Sequence, residues 1–434
     1  MECANFAKYS WVDLAFSVIG VCTFLVDWGS DIWVATEFYC RGDVLWFGVL
    51  VGLMALSSVV VQMFSWFWFQ YDREGEEGAE GQGTAGNSVV MFGDRVKLSC
   101  LVHVLQLGFL CRNFWVIWQG FRVWRRHKDG SEYAVYLTHD LSMLRLIETF
   151  CESAPQLTLM IYVMLQTNKA RTVQFVSVAA STTSMAWMVV DYHRSLRSFV
   201  PDKAKQTWSS SVVYFLWNLF LMAPRVAALA LFTSVLPAAI VPHFALIWVV
   251  FVLWAWRQHT DFMDSAGGEW LYRATVGLIW YFSWFNVAEG RTRGRSVIYH
   301  AFVTVDCGIL LTTWWVYRDP LRSQSYSLGL AVSLPLIYTA GLLLKTLYYC
   351  CFHPKLWRPA QREEPCDQRE EPSDQGEEPL DLPDSEVTVR NMSPQNGSRA
   401  QPLVNKRMAR LAASFYWERA PHRHESAERA ESPV

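Results

Sequence analysis

The stretch VLWFGVLVGLMALSSVVVQMFSWFWF, residues 44–69, decides the fold class because it contains no charged residue. About 20 apolar residues in a helix are enough to cross the hydrocarbon layer of a bilayer. Nine further segments have a similar length and apolar character: 11–36, 98–118, 138–166, 172–190, 210–236, 238–256, 270–288, 296–317 and 326–349. The sequence therefore predicts an all-α polytopic membrane protein.

The composition agrees with a membrane protein and argues against several other classes. Hydrophobic residues make up 52% of the chain and charged residues 18%, against about 25% charged in an ordinary soluble domain. A net charge of −2 gives no basic surface for nucleic acid. No metal-spaced cysteine or histidine cluster, catalytic triad order or phosphate loop stands out. We therefore expect neither an enzyme nor a bound cofactor.

The positions of lysine and arginine set the predicted topology. Ten full crossings would place the basic residues of 122–128 outside the cell, against the positive-inside rule. If 98–118 and 270–288 are re-entrant half helices, the conflict disappears and eight transmembrane helices remain, with both termini cytosolic. The cytosolic loops then carry 15 Lys and Arg and the outer loops 5.

The same topology predicts an internal repeat. The order span, span, re-entrant helix, span, span occurs twice, which indicates two pseudo-symmetric halves, residues 1–200 and 201–351. Residues 352–434 are polar and are expected to form a cytosolic regulatory tail. Within the tail, 401–417 is basic and is expected to form a short amphipathic helix that docks on a surface.

Ionisable side chains inside the apolar segments carry the functional signal, because in lipid they are costly unless they face protein or water. Asp13, Asp27 and Asp31 are separated by 14 and 4 residues, so they share one helix face over about 27 Å. A second stripe lies in 138–166, beside Pro155, at steps of three and four residues: Arg145, Glu148, Glu152 and Gln156. Polar side chains spread over this length suit a polar headgroup that moves across the membrane. Salt bridges that only fix helix packing need just one pair of charges at one depth.

Four stretches resemble the XK-related family of membrane proteins: SMLRLIETFCESAPQLTLMIYVMLQ (142–166), DYHRSLRS (191–198), YFLWNLFLMAPRV (214–226) and EWLYRATVGLIWYFSWFNVAEGRTRGR (269–295). The resemblance covers about residues 1–350. It implies eight spans plus two membrane-embedded half helices. It also implies a phospholipid scramblase of the plasma membrane that exposes phosphatidylserine in apoptosis.

The resemblance further implies a lipid path and partners. In the family a ladder of charged residues marks the path, and the matching positions here are Asp13, Asp27, Asp31, Asp140, Arg145, Glu148, Glu152, Asp191, Arg194, Arg225 and Asp306. A tryptophan at the outer end of the second span acts as a gate, and Trp46 matches it. The implied partners are phospholipids, including phosphatidylserine, and basigin or neuroplastin, single-span immunoglobulin-family proteins that carry the complex to the plasma membrane.

The tail contains a candidate caspase site. Caspases require aspartate at P4 and P1 and a small P1′ residue, and Asp381, Asp384 and Ser385 meet these requirements. Cleavage by a caspase-3-type protease after Asp384 would release 385–434 together with the amphipathic segment. The expected mechanism is therefore removal of an inhibitory tail.

Two other functions use the same residues. The intramembrane charges would also suit an ion channel or solute transporter, for which a confined midplane site is expected. A protein that only assists the assembly of another membrane protein would show no transport of its own. Lys345, near the end of its span, is expected to extend its ammonium group to the interface.

Overall fold

The computed structural model describes residues 9–80, 100–126, 131–167, 172–199, 206–263, 265–287 and 292–352, and in them the chain is helical with no β-strand. The helices are α1 Trp11–Arg41, α2 Val44–Glu80, α3 Gly108–Arg126, α4 Ser131–Cys151, α5 Ser153–Thr167, α6 Thr172–Phe199, α7 Trp208–Val235, α8 Ile240–Arg257, α9 Ala266–Phe282, α10 Thr292–Tyr317, α11 Pro320–Ser323 and α12 Ser327–Leu347. A 3₁₀ turn, Pro237–Ala239, precedes α8, and a π-helical turn, Tyr348–Phe352, follows α12.

Within the described residues, six helical segments are long and apolar enough to cross a membrane: Trp11–Arg41, Val44–Gln70, Trp208–Val235, Pro237–Arg257, Thr292–Tyr317 and Ser327–Phe352. They confirm a multi-pass helical membrane protein. The most apolar window of α7 is 67% buried inside the protein, against 17–28% for the other five segments. Helix α7 is therefore the most buried of these six segments, and most of each of the other five is not buried by protein.

The predicted span 138–166 is divided in the structure. Helix α4 ends at Cys151 and α5 begins at Ser153, with Glu152 in a turn between them. Pro155 has no amide hydrogen, so it cannot donate to the carbonyl oxygen four residues earlier. The single long helix expected from apolar length is thus interrupted close to Pro155. Helix α2 also extends beyond the predicted apolar span 44–69, since it continues to Glu80.

The predicted re-entrant segment 98–118 forms a helical hairpin. Residues 100–104 are helical, the chain turns at 105–107, and α3 follows. Gln106 lies in the turn with φ 63°, in the left-handed region that few side chains adopt. Ser58 and Gln62, midway along the apolar part of α2, donate hydrogen bonds to Gln106 at 2.6 and 3.0 Å. The hairpin tip therefore reaches the middle of α2.

The second predicted re-entrant segment, 270–288, is mostly α9. The carbonyl oxygen of Tyr281, near the end of α9, accepts a hydrogen bond from Arg225 in α7 at 3.1 Å. Arg295, near the start of α10, donates to Gln258, just after α8, at 3.0 Å. The chain thus enters and leaves this insertion at the same end of the helix bundle.

Both insertions are held by an arginine that makes the same two contacts. In α3, Arg112 donates to the hydroxyl and carbonyl oxygens of Ser65 at 2.8 and 3.0 Å. In α9, Arg273 donates to the hydroxyl and carbonyl oxygens of Thr260, both at 2.9 Å. This shared contact is a local similarity between the two predicted halves.

Candidate functional site

The charged face of α1 points toward α5 and α6. Asp13 pairs with Arg194 of α6 across 3.8 Å. Asp27 accepts a hydrogen bond from Ser153 of α5 at 2.6 Å. Further along α1, Asp31 faces the side-chain amide of Gln156 in α5. With its nitrogen assigned to the side that faces the carboxylate, this amide donates to both oxygens of Asp31 at 2.8 Å. The predicted common face is therefore confirmed, and its polar contacts extend along most of α1.

The row of polar contacts along α1 from Asp13 to Asp31 is called the polar line below. Asp13 and Arg194 form its first contact. Ser10 and Asp13 form a capping box that fixes the start of α1. The Arg194 guanidinium lies 4.6 Å from the centroid of the Phe16 ring and donates to the carbonyl oxygen of Gln206 at 3.1 Å. The ion pair is long compared with a direct charge-assisted hydrogen bond of about 2.7–2.9 Å.

Arg145 of α4 lies further along and is 1% exposed. Its guanidinium is 3.7 Å from the carboxylate of Asp191. It also donates to Asn113 Oδ1 at 2.9 and 3.1 Å and to the carbonyl oxygen of Ser17 at 3.2 Å. Gly20 of α1 makes room for it, because a Cβ atom there would lie 2.0 Å from Arg145 Nη1. Arg145 therefore joins α1, α3, α4 and α6.

Asp140, also a predicted path residue, lies deeper in the contact between α3 and α4. It is 3% exposed, and its carboxylate is 4.0 Å from Arg112. Arg112 also holds the 98–118 insertion against α2. Asp140 therefore links that insertion to α4, the helix that carries Arg145 and Glu148.

Four carboxyl groups form a cluster beyond Arg145. Each of Asp27, Asp31, Glu148 and Glu152 interacts electrostatically with the other three. Glu148 and Glu152 are only 8% and 5% exposed. Arg145 attracts Glu148 from beyond salt-bridge distance. Among the residues that the structure describes, no Lys, Arg or His forms a direct salt bridge with any of these four groups. Buried like charges are unfavourable without a counter-ion, so the cluster favours a cationic group or bound protons.

The cluster does not have the arrangement of a metal site. In the described part of the chain, no group of three or more His, Cys, Asp or Glu side chains is placed to hold a metal ion. Glu152 also lies at the break between α4 and α5, which places a polar backbone turn beside the cluster.

Trp46 lies at the far end of the same helices. Its ring meets that of Tyr162 at 5.3 Å in a T-shaped contact. The half-buried side chain also packs on a small apolar cluster that includes Phe38 and Leu50. Trp46 therefore caps the region where α1, α2 and α5 come together.

Arg225 and Asp306 lie in a separate network. They form a direct salt bridge, and His243 Nε2 lies 3.1 Å from the other oxygen of Asp306. Arg225 also donates to the Tyr281 carbonyl oxygen, and His243 Nδ1 lies 2.9 Å from the Tyr281 hydroxyl oxygen. None of the hydrogen bonds or ion pairs of these described residues reaches α1 or α4. The structure thus separates two members of the predicted path from the other nine.

Lys345 does not extend to the interface as expected. It is 9% exposed, and its ammonium group donates to Ser296 Oγ at 2.6 Å and lies 2.5 Å from His300 Nε2. The Trp217 ring centroid is 5.0 Å away. Inside the bundle, Ser296 and His300 take the place of water as partners of the ammonium group. A hydropathy pattern alone does not reveal such partners.

A small cavity lies at the Asp13 end of the polar line. Its volume is about 20 Å³, enough for about one water molecule. It is lined by Tyr9, Asp13, Phe16, Val135, Thr138, Asp191, Arg194 and Ser195. A phospholipid headgroup does not fit into this space.

Among the residues of these networks that the sequence did not single out are His243 and Asn113. His243 is the one ionisable residue of the apolar segment 238–256, so the rule applied to the other segments would have found it. Asn113, which binds Arg145, is uncharged and had no comparable signal.

Comparison with known proteins identifies the class to which this helical membrane protein belongs. The family model described as XK-related protein matches residues 15–354. The chain is therefore a member of the XK-related family, as the four sequence stretches indicated.

Three similar proteins from this family are all named XK-related protein 8. The chain is 67% identical to XK-related protein 8 of Gasterosteus aculeatus and 66% identical to XK-related protein 8 of Tetraodon nigroviridis, each over 96% of this chain and 99% of the relative. It is 41% identical to XK-related protein 8 of Pan troglodytes over 80% of this chain and 86% of that protein. The matches to the two fish proteins cover so much of the chain that they include most of 353–434. The candidate caspase site Asp381–Ser385 and the predicted amphipathic segment 401–417 lie outside the described residues.

Proposed function

We propose that this chain is a phospholipid scramblase that exposes phosphatidylserine on the cell surface after a caspase removes its C-terminal tail. The observation that carries the proposal is the polar line along α1, which continues from Asp13 through Arg145 and the carboxylate cluster to Asp31. Asp13 and Asp31 are separated by 18 residues, or about 27 Å of helix. The hydrocarbon core of a bilayer is about 30 Å thick.

The chemistry of the line suits a phospholipid headgroup, which carries a phosphate and, in phosphatidylserine, an ammonium group. Arg145 and Arg194 offer guanidinium groups for phosphate. The cluster of Asp27, Asp31, Glu148 and Glu152 offers negative charge for ammonium. Ion-pair distances of 3.7 and 3.8 Å at the two arginines favour exchange of the protein carboxylate for a lipid phosphate.

The acyl chains would remain in the bilayer beside α1. Several large apolar side chains of α1 point outward, including Val26 and Trp33, which are 69% and 72% exposed. A headgroup following the charged face would thus keep its lipid tails next to an apolar surface. Transport of this kind runs down a concentration gradient and needs no ATP.

We assign eight transmembrane helices, with α4–α5 together and α6 added to the six span-length segments. Both termini would be cytosolic, because that orientation places 15 of the 20 counted loop Lys and Arg inside. The two insertions would then be re-entrant from the cytosolic side. The plasma-membrane location, and basigin or neuroplastin as carrier proteins, follow from the family resemblance.

The tail would act as the switch. In the intact chain, the 401–417 segment would dock at the cytosolic end of the polar line. The small cavity at Asp13 would then stay too small for a headgroup, and the chain would be inactive. Caspase cleavage after Asp384 would remove 385–434 and permit α1 and α6 to separate.

Reconstitution tests this proposal directly. The full-length chain and the 1–384 form are placed separately in liposomes containing fluorescent phospholipid, and lipid flipping and ion flux are measured in parallel. The proposal expects rapid flipping by 1–384, slow flipping by the full-length chain and no matching ion flux. Ion flux without lipid flipping would favour a channel, and absence of both would favour an assembly partner.

Asp384→Ala tests the switch in cells. Caspase-treated cells with this variant are expected to keep phosphatidylserine inside, whereas a Glu377→Ala control is expected to behave as wild type. Normal exposure with Asp384→Ala would refute the switch at this site.

A further inference from the structure

The segment that follows α12 carries two adjacent cysteines, Cys350 and Cys351, which the lipid path does not use. Both are exposed, and both belong to the π-helical turn Tyr348–Phe352. Their neighbour Tyr348 is fully buried, and its ring contacts the Tyr214 ring at 5.3 Å. The turn is therefore fixed to the bundle on one side and presents both thiols on the other.

The thiols continue the lipid-facing side of α12. Leu336, Leu343 and Leu347 are 63%, 66% and 43% exposed, and Cys350 follows Leu343 and Leu347 at steps of seven and three residues. Leu343, Leu347 and Cys350 are thus all exposed, and they lie within about 10 Å of one another along the chain axis. An acyl chain on Cys350 would thus lie along apolar side chains that already face lipid.

The position of the turn matches the edge of the membrane. Lys345, one turn earlier, contacts Ser296 near the start of α10, so the two helix ends lie side by side. Arg293 and Arg295 belong to the same end of α10, and Lys355 follows the cysteines in sequence. Basic residues at this point are typical of the cytosolic boundary of a span.

We propose that Cys350 and Cys351 are S-acylated by a long-chain fatty acid, with Cys350 as the principal site. The cysteine thiolate attacks the carbonyl carbon of a fatty acyl-coenzyme A thioester, supplied through a membrane acyltransferase. A new carbon–sulfur bond forms, the bond to the coenzyme A sulfur breaks, and coenzyme A leaves with the proton lost by the cysteine. Juxtamembrane cysteines are the ordinary targets of this reversible modification.

Acylation would attach the beginning of the regulatory tail to the membrane. The tail starts directly after the turn, so its first residues would be held at the cytosolic surface rather than free in solution. The proposal rests on the cytosolic orientation of the α12 end assigned under the proposed function, and it does not depend on lipid transport.

Acyl-exchange labelling of the full-length chain in cells tests the inference. Free thiols are blocked, thioesters are cleaved with hydroxylamine, and the released thiols are coupled to a polyethylene glycol maleimide that shifts the band on a gel. The wild type is expected to shift only after hydroxylamine, with most of the shift lost in Cys350→Ser and all of it in Cys350→Ser/Cys351→Ser. Cys22→Ser, an exposed position within α1, is the control and is expected to keep the shift.

A wild-type chain without a hydroxylamine-dependent shift, or a double variant that keeps it, would overturn the proposal. Thiol labelling from either side of the membrane separates this failure from failure of the topology. If a membrane-impermeant maleimide reaches the pair only in permeabilised cells, the orientation stands and the acylation alone is wrong. Reaction in intact cells would contradict the orientation assigned with the proposed function.

Discussion

The two halves of the molecule hold their intramembrane charges in different ways. In the first half, charged side chains follow α1 from Asp13 to Asp31. Long ion pairs lie at one end, and at the other end lie carboxylates that make no salt bridge among the described residues. In the second half, Arg225, Asp306 and His243 meet at one depth in direct contact with Tyr281. Charges that only hold helices together can all lie at one depth in the membrane. Charges that guide a moving group must instead be spread along the membrane normal.

The largest expected effect comes from breaking the second-half network. Arg225→Met leaves the buried Asp306 carboxylate without its guanidinium partner, which costs about 3–5 kcal/mol in comparable buried pairs. We expect a much lower unfolding temperature for the purified chain. Arg225→Met/Asp306→Asn should recover part of the loss, because no unpaired charge remains. Normal thermal stability with lost lipid transport in the single variant would instead return Arg225 to the lipid path.

A smaller loss is expected where α1 makes room for Arg145. A Cβ atom in Gly20→Ala would lie 2.0 Å from Arg145 Nη1, so the guanidinium must leave its place beside Asp191. Overpacking of this kind costs about 1–3 kcal/mol. Gly29→Ala is the matched control on the same helix, since its Cβ would meet nothing within 4 Å. Equal unfolding temperatures for the two variants would contradict the close contact.

Glu148→Gln tests the carboxylate cluster without changing the shape of the side chain. We expect phosphatidylserine exposure in caspase-treated cells to slow about tenfold, corresponding to about 1.4 kcal/mol of lost attraction for the ammonium group. Thermal stability should be unchanged or higher, because repulsion from Glu152 and Asp31 is relieved. Glu37→Gln, which removes a half-exposed carboxylate paired with Arg41, serves as the control. An unchanged rate in Glu148→Gln would remove the cluster from the path.

Trp46→Ala gives the smallest expected change. Loss of the ring contact with Tyr162 should ease opening at the outer end and speed lipid flipping by 1–384 about threefold, since an aromatic pair contributes about 0.5–1.5 kcal/mol. Trp33→Ala, at a site that is 72% exposed, should leave the rate unchanged. Slower flipping in Trp46→Ala would mean that the ring supports the path rather than closing it.

Much of this arrangement was predictable from sequence because it depends on local spacing. The helical period placed Asp13, Asp27 and Asp31 on one face, and loop charges singled out the two insertions. Helix pairing across the bundle was not predictable in the same way. The separation of Arg225 and Asp306 from α1, the burial of Lys345 and the contact of Asn113 with Arg145 all depend on which helices become neighbours. Periodicity within one segment contains no information on that choice.

The most direct test of the polar line measures lipid flipping by a purified 1–384 variant. In this variant Asp27 and Asp31 are replaced by Asn, and Glu148 and Glu152 are replaced by Gln. Our account predicts a chain that remains folded, judged by size-exclusion and thermal unfolding, and flips labelled lipid at least about tenfold more slowly than unsubstituted 1–384 and its Glu37→Gln control. A folded amide variant that flips lipid at the unsubstituted rate would contradict the account.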